Sequence, residues 1–408
     1  MSRGEPFRIL LDLSVLSAAN LSRGVGRYVG SLASALHARA RQDPELVVSA
    51  IAERPLLREP RVTQDIPALL EELHEGKTRT AYTYLPWSRG GQRAVQSAID
   101  QARAHVVHSL DPQVSPQGLS CPHIVTCHHL DSSADASQWH GVSATVERAD
   151  RRRFFQADRI IASSRATAQE LIARLNVSRG RISIVHHGVA LATWNSGDLT
   201  AQAACREELG VQGRPYLLCV GGVQERKNVD GVMEGLRRAR TMLGRRDLLL
   251  VWVGRLDRKE RQRLEARARK FDVAEAVVSL GYVSDQVLAA LYAGAVALVF
   301  ASKREGFGYP VVEAMASGCP VVTSNGSSLI ELAEGAALTL NPEDTQAIAD
   351  SIVLLADDNS ERRRLGQQGK ERAKSFSLTR MVDGTLEAYR KATGPTALEG
   401  AADSRRLD

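Results

Sequence analysis

Short apolar runs alternate with polar, helix-patterned stretches along nearly all of this chain. In the first half the runs are Phe7–Leu13, Leu46–Ala52, His105–Ser109, His123–His128, Arg159–Ser163 and Arg181–Val185. In the second half they are Tyr216–Val220, Leu248–Val253, Ala276–Leu280, Val296–Ala301, Pro320–Ser324 and Ala336–Leu340. Near-continuous apolar runs of this kind read as parallel strands buried on both faces. Amphipathic stretches such as Tyr28–Leu36 and Thr167–Leu175 lie between them. Strand and helix in alternation predict parallel sheets with right-handed crossovers, hence two doubly wound α/β domains. Periodicity weakens between Gly188 and Gly213, around Asn195-Ser196-Gly197-Asp198. The expected partition is therefore residues 1–190, a linker over 191–213, and a second domain over 214–378. The small, polar segment 394–408 is expected to fray.

Composition changes that picture little. At 408 residues, 43% hydrophobic and 25% charged, the chain suits a globular protein with two cores. No apolar run approaches the roughly 20 residues of a spanning helix. Phe7–Leu16 has the outline of a signal peptide, but Asp12 interrupts it and a first buried strand fits better. The cysteines, Cys121, Cys127, Cys205, Cys219 and Cys319, show no paired spacing and are expected to be reduced, in a cytoplasmic protein. The formal net charge is +6, and residues 1–200 hold 23 Lys and Arg against 19 Asp and Glu. Arg148, Arg151, Arg152 and Arg153 cluster there; they suit either peripheral association with an anionic membrane at its inner face or an ordinary solvated surface. Aromatic residues are 5% with no basic-aromatic stripe, which argues against nucleic acid.

The chemistry concentrates after the strand Val296–Ala301, in Arg304-Glu305-Gly306-Phe307-Gly308-Tyr309-Pro310-Val311-Val312-Glu313. Pro310 suits a helix start and Gly318 a helix stop, which puts Glu305 in a glycine-rich loop and Glu313 in the first turn of the next helix. Ligands of open α/β sheets bind outside the carboxyl ends of strands, and a helix start there favours a phosphate. Gly221-Gly222-Val223-Gln224-Glu225-Arg226-Lys227-Asn228 follows another strand, and its two adjacent cations suit a diphosphate. Gly24 and Gly26 precede a helix after the first strand, an arrangement open to a dinucleotide-binding reading, a phosphate-covering loop or a plain tight turn. His128 ends the strand that starts at His123. No Asp-x-Asp accompanies a strand, and Asp357-Asp358 falls in an expected surface turn, so no metal is expected.

The segment Glu305 to Glu313 resembles the E-x7-E motif of retaining GT-B glycosyltransferases of family 4, and the likeness extends from Arg8-Ile9-Leu10-Leu11-Asp12 to Phe376-Ser377. The resemblance implies two Rossmann-like domains facing a central cleft, the first for an acceptor and the second for a nucleotide sugar. It also implies a last helix, about 379–391, returning to the first domain. On the matching positions it gives Glu305 the sugar hydroxyls, Glu313 the ribose, and Lys227 with Arg226 the diphosphate. Gly306, Phe307 and Gly308 belong to the donor loop, and Tyr282 and Val283 to the stretch whose backbone holds the nucleobase. Gly24 and Gly26 would close over the donor phosphate or border the acceptor, and His128 would point at the sugar. Three positions depart from the family: Gly222 stands where many relatives have Arg, His129 where Asp is usual, and His187 where Asn is usual.

The implied reaction is retaining, metal-independent transfer of a hexose from a nucleoside diphosphate sugar to a hydroxyl of a glycan, a lipid-linked or a small-molecule acceptor. Glu225-Arg226-Lys227-Asn228 favours GDP-mannose over UDP-sugars. A sugar-nucleotide epimerase or phosphorylase on the same fold, and a non-catalytic nucleotide-sugar or glycan-binding module, are the alternatives. The acceptor has no motif; it belongs to loops such as Thr78–Gly91 and Asp131–Val142.

Overall fold

The computed structural model describes residues 5–13, 15, 24–52, 80–82, 89–112, 118–130, 154–195, 207, 210–211 and 213–394. The chain divides into two compact units, Met1–Gly188 with Leu378–Asp408, and Val189–Ser377. The arginine cluster at 148–153, Cys205, the loop Asp131–Val142, most of the expected linker and the tail from 395 lie outside the described residues.

The first unit is built from β1 (Phe7–Asp12), α1 (Gly24–Gln42), β2 (Leu46–Ala52), β3 (Thr80–Tyr82), α2 (Arg89–Ala102), β4 (Val106–Ser109), β5 (His123–Cys127), β6 (Arg159–Ala162), α3 (Arg165–Leu175) and β7 (Ile182–Ile184). Its parallel sheet runs β3-β2-β1-β4-β5-β6-β7. All six apolar runs of this half are strands. The seventh, β3, falls in a stretch read above as loop: Thr80-Ala81-Tyr82 is too short and too mixed to show as an apolar run, and pairing with Ala50–Ala52 makes it a strand.

The second unit follows as α4 (Leu191–Trp194), β8 (Tyr216–Val220), α5 (Val229–Leu243), β9 (Leu249–Val253), α6 (Arg258–Lys270), β10 (Val277–Gly281), α7 (Asp285–Gly294), β11 (Ala297–Phe300), α8 (Tyr309–Ala316), β12 (Val321–Ser324), α9 (Ser327–Ala333), β13 (Leu338–Leu340), α10 (Thr345–Asp357) and α11 (Asn359–Ala373). Its sheet runs β10-β9-β8-β11-β12-β13, all parallel. The order reverses between β8 and β11, where Leu217 and Leu218 pair with Ala297 and Leu298. Helices α5 and α10 cover one face, with Met233, Leu236, Ile348 and Ile352 fully buried against Leu250 and Val299. Burying each such side chain contributes about 1.5–3 kcal/mol. Gly235 lets α5 and α10 approach, since a Cβ there would lie 2.4 Å from Ile348 Cγ2.

The last helix, α12 (Leu378–Thr393), belongs to the first unit. Arg39 of α1 pairs with its Asp383, and Gly384 sits where a Cβ would meet Val185 Cγ1 at 3.2 Å. Its Tyr389 reaches into the sheet and begins a buried polar chain. Tyr389 O–H meets His108 Nδ1 at 2.8 Å, His108 Nε2 meets Thr126 Oγ1 at 2.8 Å, and Thr126 Oγ1 meets Tyr28 O–H at 2.9 Å. The Tyr28 ring then packs on His128 and His187, at centroid distances of 4.9 and 4.4 Å. Cys127, Cys219 and Cys319 are buried free thiols, and Cys121 is a partly buried one.

Burial keeps these imidazoles neutral. It pushes His108 down to about 3 and both His123 and His128 down to about 4, and it also holds His187 well below the usual histidine range. The unfolded chain takes up these protons near pH 6.5 while the native state refuses them. Stability is thus complete above about pH 6.5 and falls as pH drops toward 4, by about 1.4 kcal/mol per pH unit for each histidine. Urea midpoints measured from pH 7.5 to 5 should fall steeply. His187→Asn should lower the proton uptake on unfolding by about one; an unchanged slope would show that His187 is protonated in the native state.

Candidate functional site

Of the residues singled out in the second unit, Gly222, Arg226, Lys227, Glu305, Gly306, Phe307 and Gly308 lie in the loops at the carboxyl ends of β8 and β11, on either side of its topological switch point. After β8 the backbone makes a tight turn through Gly221, at φ +133°, whose carbonyl accepts from Trp252 Nε1 at 2.9 Å. A Cβ at the neighbouring Gly254 would lie 2.3 Å from that carbonyl oxygen, so the β8 and β9 ends can meet only through glycine. Glu225–Lys227 then form one 3-10 turn, and Asn228, left-handed at φ +54°, starts α5. The turn aims Arg226 and Lys227 back toward β11. At Gly222 a Cβ would lie 2.5 Å from Gln224 Nε2, so the arginine usual at this place would require Gln224 to move.

After β11 the chain loops through Ser302–Gly308. The two loops are joined by Lys303 N–H donating to Arg226 carbonyl at 2.7 Å. The Glu305 backbone is held from α9: its N–H donates to Ser327 Oγ at 3.2 Å, and Ser328 Oγ–H lies 3.0 Å from the Glu305 carbonyl and 2.6 Å from that of Phe307. Gly308, at φ +115° with Leu329 Cδ2 2.7 Å from the position of a Cβ, can only be glycine. Phe307 turns inward, 4% exposed, edge-on to Tyr309 and Phe376, so it offers a ligand only backbone.

These constraints place one carboxylate oxygen between two cations. Glu305 Oε1 lies 2.7 Å from Lys227 Nζ and 2.7 Å from Arg226 Nη1. The Glu305 and Lys227 side chains are 11% and 12% exposed, against 39% for Arg226. Burial alone would raise the Glu305 carboxyl, but the charges of Lys227 and Arg226, with hydrogen bonds from Lys227 and Ser302, outweigh it and hold it below the usual carboxylate range. Burial holds the Lys227 ammonium below the usual lysine range despite the Glu305 charge, and its Nζ also lies 4.4 Å over the Phe300 ring. Such a cluster can exchange an internal carboxylate for an external oxyanion.

Glu313 stands apart from that cluster. It lies in the second turn of α8 rather than the first, because the helix already begins at Tyr309. The side chain is buried, and Tyr292 O–H of α7 donates to its Oε2 at 3.2 Å. Tyr282, just past β10, is 55% exposed with the Arg255 guanidinium 5.2 Å over its ring, and Val283 beside it is half-buried.

In the first unit, Gly24 and Gly26 occupy the first turn of α1 rather than a loop ahead of it; the apolar period that revealed this helix starts only at Tyr28. His128 directly follows β5. Its Nε2 faces the Leu110 carbonyl at 2.8 Å, which can only accept, so Nε2 carries the proton. Its Nδ1 then accepts from His187 Nε2–H at 3.3 Å. His129, in the place where the family usually has Asp, is exposed, and the contact to the His128 ring is made by His187. His108 and Tyr389 were missed: one lies inside a strand, the other on a helix 281 positions away. Among the described residues no group of His, Cys, Asp and Glu could hold a metal.

Comparison with known proteins places this geometry. The Glycosyltransferase Family 4 sequence model matches residues 22–193, and that of Glycosyl transferases group 1 matches residues 202–372. The chain is 30% identical over 284 residues to a D-inositol 3-phosphate glycosyltransferase of Nocardia farcinica, covering 66% of this chain and 61% of that one. It is 35% identical over 185 residues to the O-antigen chain mannosyltransferase B of Escherichia coli, covering 45% and 47%. The matches thus span about half to three-fifths of these relatives. Among solved structures, Anabaena HepE with UDP and glucose superposes with a TM-score of 0.72 at 17% identity over 93% of this chain and 98% of that one. Sucrose-phosphate synthase of Thermosynechococcus elongatus gives 0.72 at 21% over 94% and 98%. With one family model on each half and a GT-B architecture throughout, the chain belongs to the group 1, family 4 glycosyl transferases.

Proposed function

We propose that the protein transfers a hexose from a nucleoside diphosphate sugar to an acceptor hydroxyl, with the donor held by the second unit. The observation that carries this reading is the Arg226–Lys227–Glu305 cluster at the β8/β11 switch point. In it Lys227 and Arg226 receive the diphosphate, and Glu305, once released, accepts from the sugar hydroxyls. Glu313, fixed by Tyr292, takes the ribose, and the backbone at Tyr282 and Val283 borders the base. The cations neutralise the departing diphosphate in place of a divalent ion. With Glu305 committed to the sugar hydroxyls, the transfer is read as same-face attack with the leaving phosphate as base, and hence as retaining. Both ring nitrogens of His128 are engaged within the first unit, so neither is available to transfer a proton.

GDP-mannose is the favoured donor. The Glu225-Arg226-Lys227-Asn228 sequence and the likeness to a mannosyltransferase support it. The acceptor is a glycan, a lipid-linked or a small-molecule hydroxyl. Peripheral contact with an anionic membrane, for which the sequence cluster Arg148, Arg151, Arg152 and Arg153 is the support, is part of the same proposal.

A thermal-shift panel of GDP-, UDP- and ADP-sugars should give its largest stabilisation with GDP-mannose; a larger shift with a UDP-sugar would reverse the donor assignment. Turnover should persist in excess EDTA, and loss restored by magnesium or manganese would contradict the role given to Lys227 and Arg226. Glu313→Ala should weaken nucleoside diphosphate binding roughly ten- to a hundredfold, the worth of one charge-assisted hydrogen bond of about 1.5–3 kcal/mol. Calorimetric titration of the bare nucleotide checks this, and undiminished affinity would remove Glu313 from the ribose.

A further inference from the structure

The cations that should bind the donor are already paired, by a carboxylate on the same site. From this geometry, and resting on the donor reading above, we infer that Glu305 is a selectivity switch: it makes the site hold a nucleoside diphosphate sugar in preference to the bare nucleoside diphosphate left after transfer. One oxygen, Oε1, serves both Lys227 Nζ and Arg226 Nη1 at 2.7 Å. A diphosphate reaching those cations has to displace it. The backbone cannot carry the carboxylate away, because Ser327 and Ser328 fix the Glu305 amide and carbonyl. Only the side chain can turn, and it remains in a largely buried place.

A displaced, buried carboxylate is costly unless donors meet it. The hydroxyls of a hexose on the same diphosphate are such donors, so the intact donor releases the cations and satisfies Glu305 together. A bare nucleoside diphosphate brings phosphate oxygens and nothing for the carboxylate. Once the hexose has left, Glu305 competes for Lys227 and Arg226 again and drives the product off. Product release limits turnover in many enzymes, and where it does a competition of this kind speeds turnover. The family resemblance implies only a sugar contact for Glu305, and on that view alone its removal leaves nucleotide affinity unchanged.

The test titrates GDP, UDP and inorganic pyrophosphate into the wild type, Glu305→Gln and Lys227→Ala. Glu305→Gln should bind the bare nucleotide about ten- to a hundredfold more tightly than the wild type, with deeper product inhibition and lower turnover. Lys227→Ala should bind it more weakly. If Lys227→Ala weakens binding while Glu305→Gln does not tighten it, the switch is wrong and the donor site stands. If Lys227→Ala binds as the wild type does, the diphosphate is elsewhere and both readings fall. A measurement on the unmutated protein guards against a folding defect in the variants. Saturating free mannose, glucose or galactose should tighten nucleoside diphosphate binding several-fold, because it gives the released carboxylate its donors. No coupling with any of the three overturns the inference.

Discussion

The second unit is organised around an electrostatic constraint: two cations on one loop and a carboxylate on another must meet where the strand order reverses. The β8 and β11 backbones leave the sheet side by side there, so each loop becomes the other's counter-ion layer. Burial works against the charge of both Glu305 and Lys227. The charges of Lys227 and Arg226 outweigh it at Glu305, and the Glu305 charge offsets part of it at Lys227. The glycines follow from the same constraint. Gly221 and Gly254 bring the β8 and β9 ends into contact, and Gly308 brings the Glu305 loop down onto Leu329. A larger residue at any of the three would move a charge out of the cluster.

The first unit solves a different problem. Its sheet buries histidines and tyrosines in strand and helix positions that most proteins fill with aliphatic residues. Hydrogen bonds from Tyr389 through His108 and Thr126 to Tyr28 satisfy them, and neutral imidazoles avoid the cost of buried charge. The arrangement ties the returning helix α12 to the sheet and fixes the His128 ring from three sides. It also ties the stability of this unit to pH.

Strand positions were legible because buried parallel strands must be apolar on both faces; all twelve expected runs are strands. Thr80–Tyr82 escaped because its stability comes from pairing with β2, which its own three side chains do not announce. The two loops of the charged cluster were legible as charges and glycines at strand ends. Their mutual pairing was not, since the sequence places Lys227 and Glu305 far apart and only the switch-point topology makes them neighbours. The onset of α1 at Gly24 was hidden by a first turn without apolar period. His187 was visible as a departure from the family's Asn, yet its contact with His128 joins the ends of separate strands. Tyr292 and Ser328 carried no signal: each is an ordinary helix residue until Glu313 and Glu305 are brought to it.

The central claim is that the Lys227–Arg226 pair is a phosphate site kept closed by Glu305. A crystal structure of the protein with a nucleoside diphosphate sugar tests it most directly. The account predicts diphosphate oxygens within hydrogen-bond distance of Lys227 Nζ and the Arg226 guanidinium, with the Glu305 carboxylate turned onto the sugar hydroxyls. A bound donor with the Glu305 bridge to both cations still intact would contradict it.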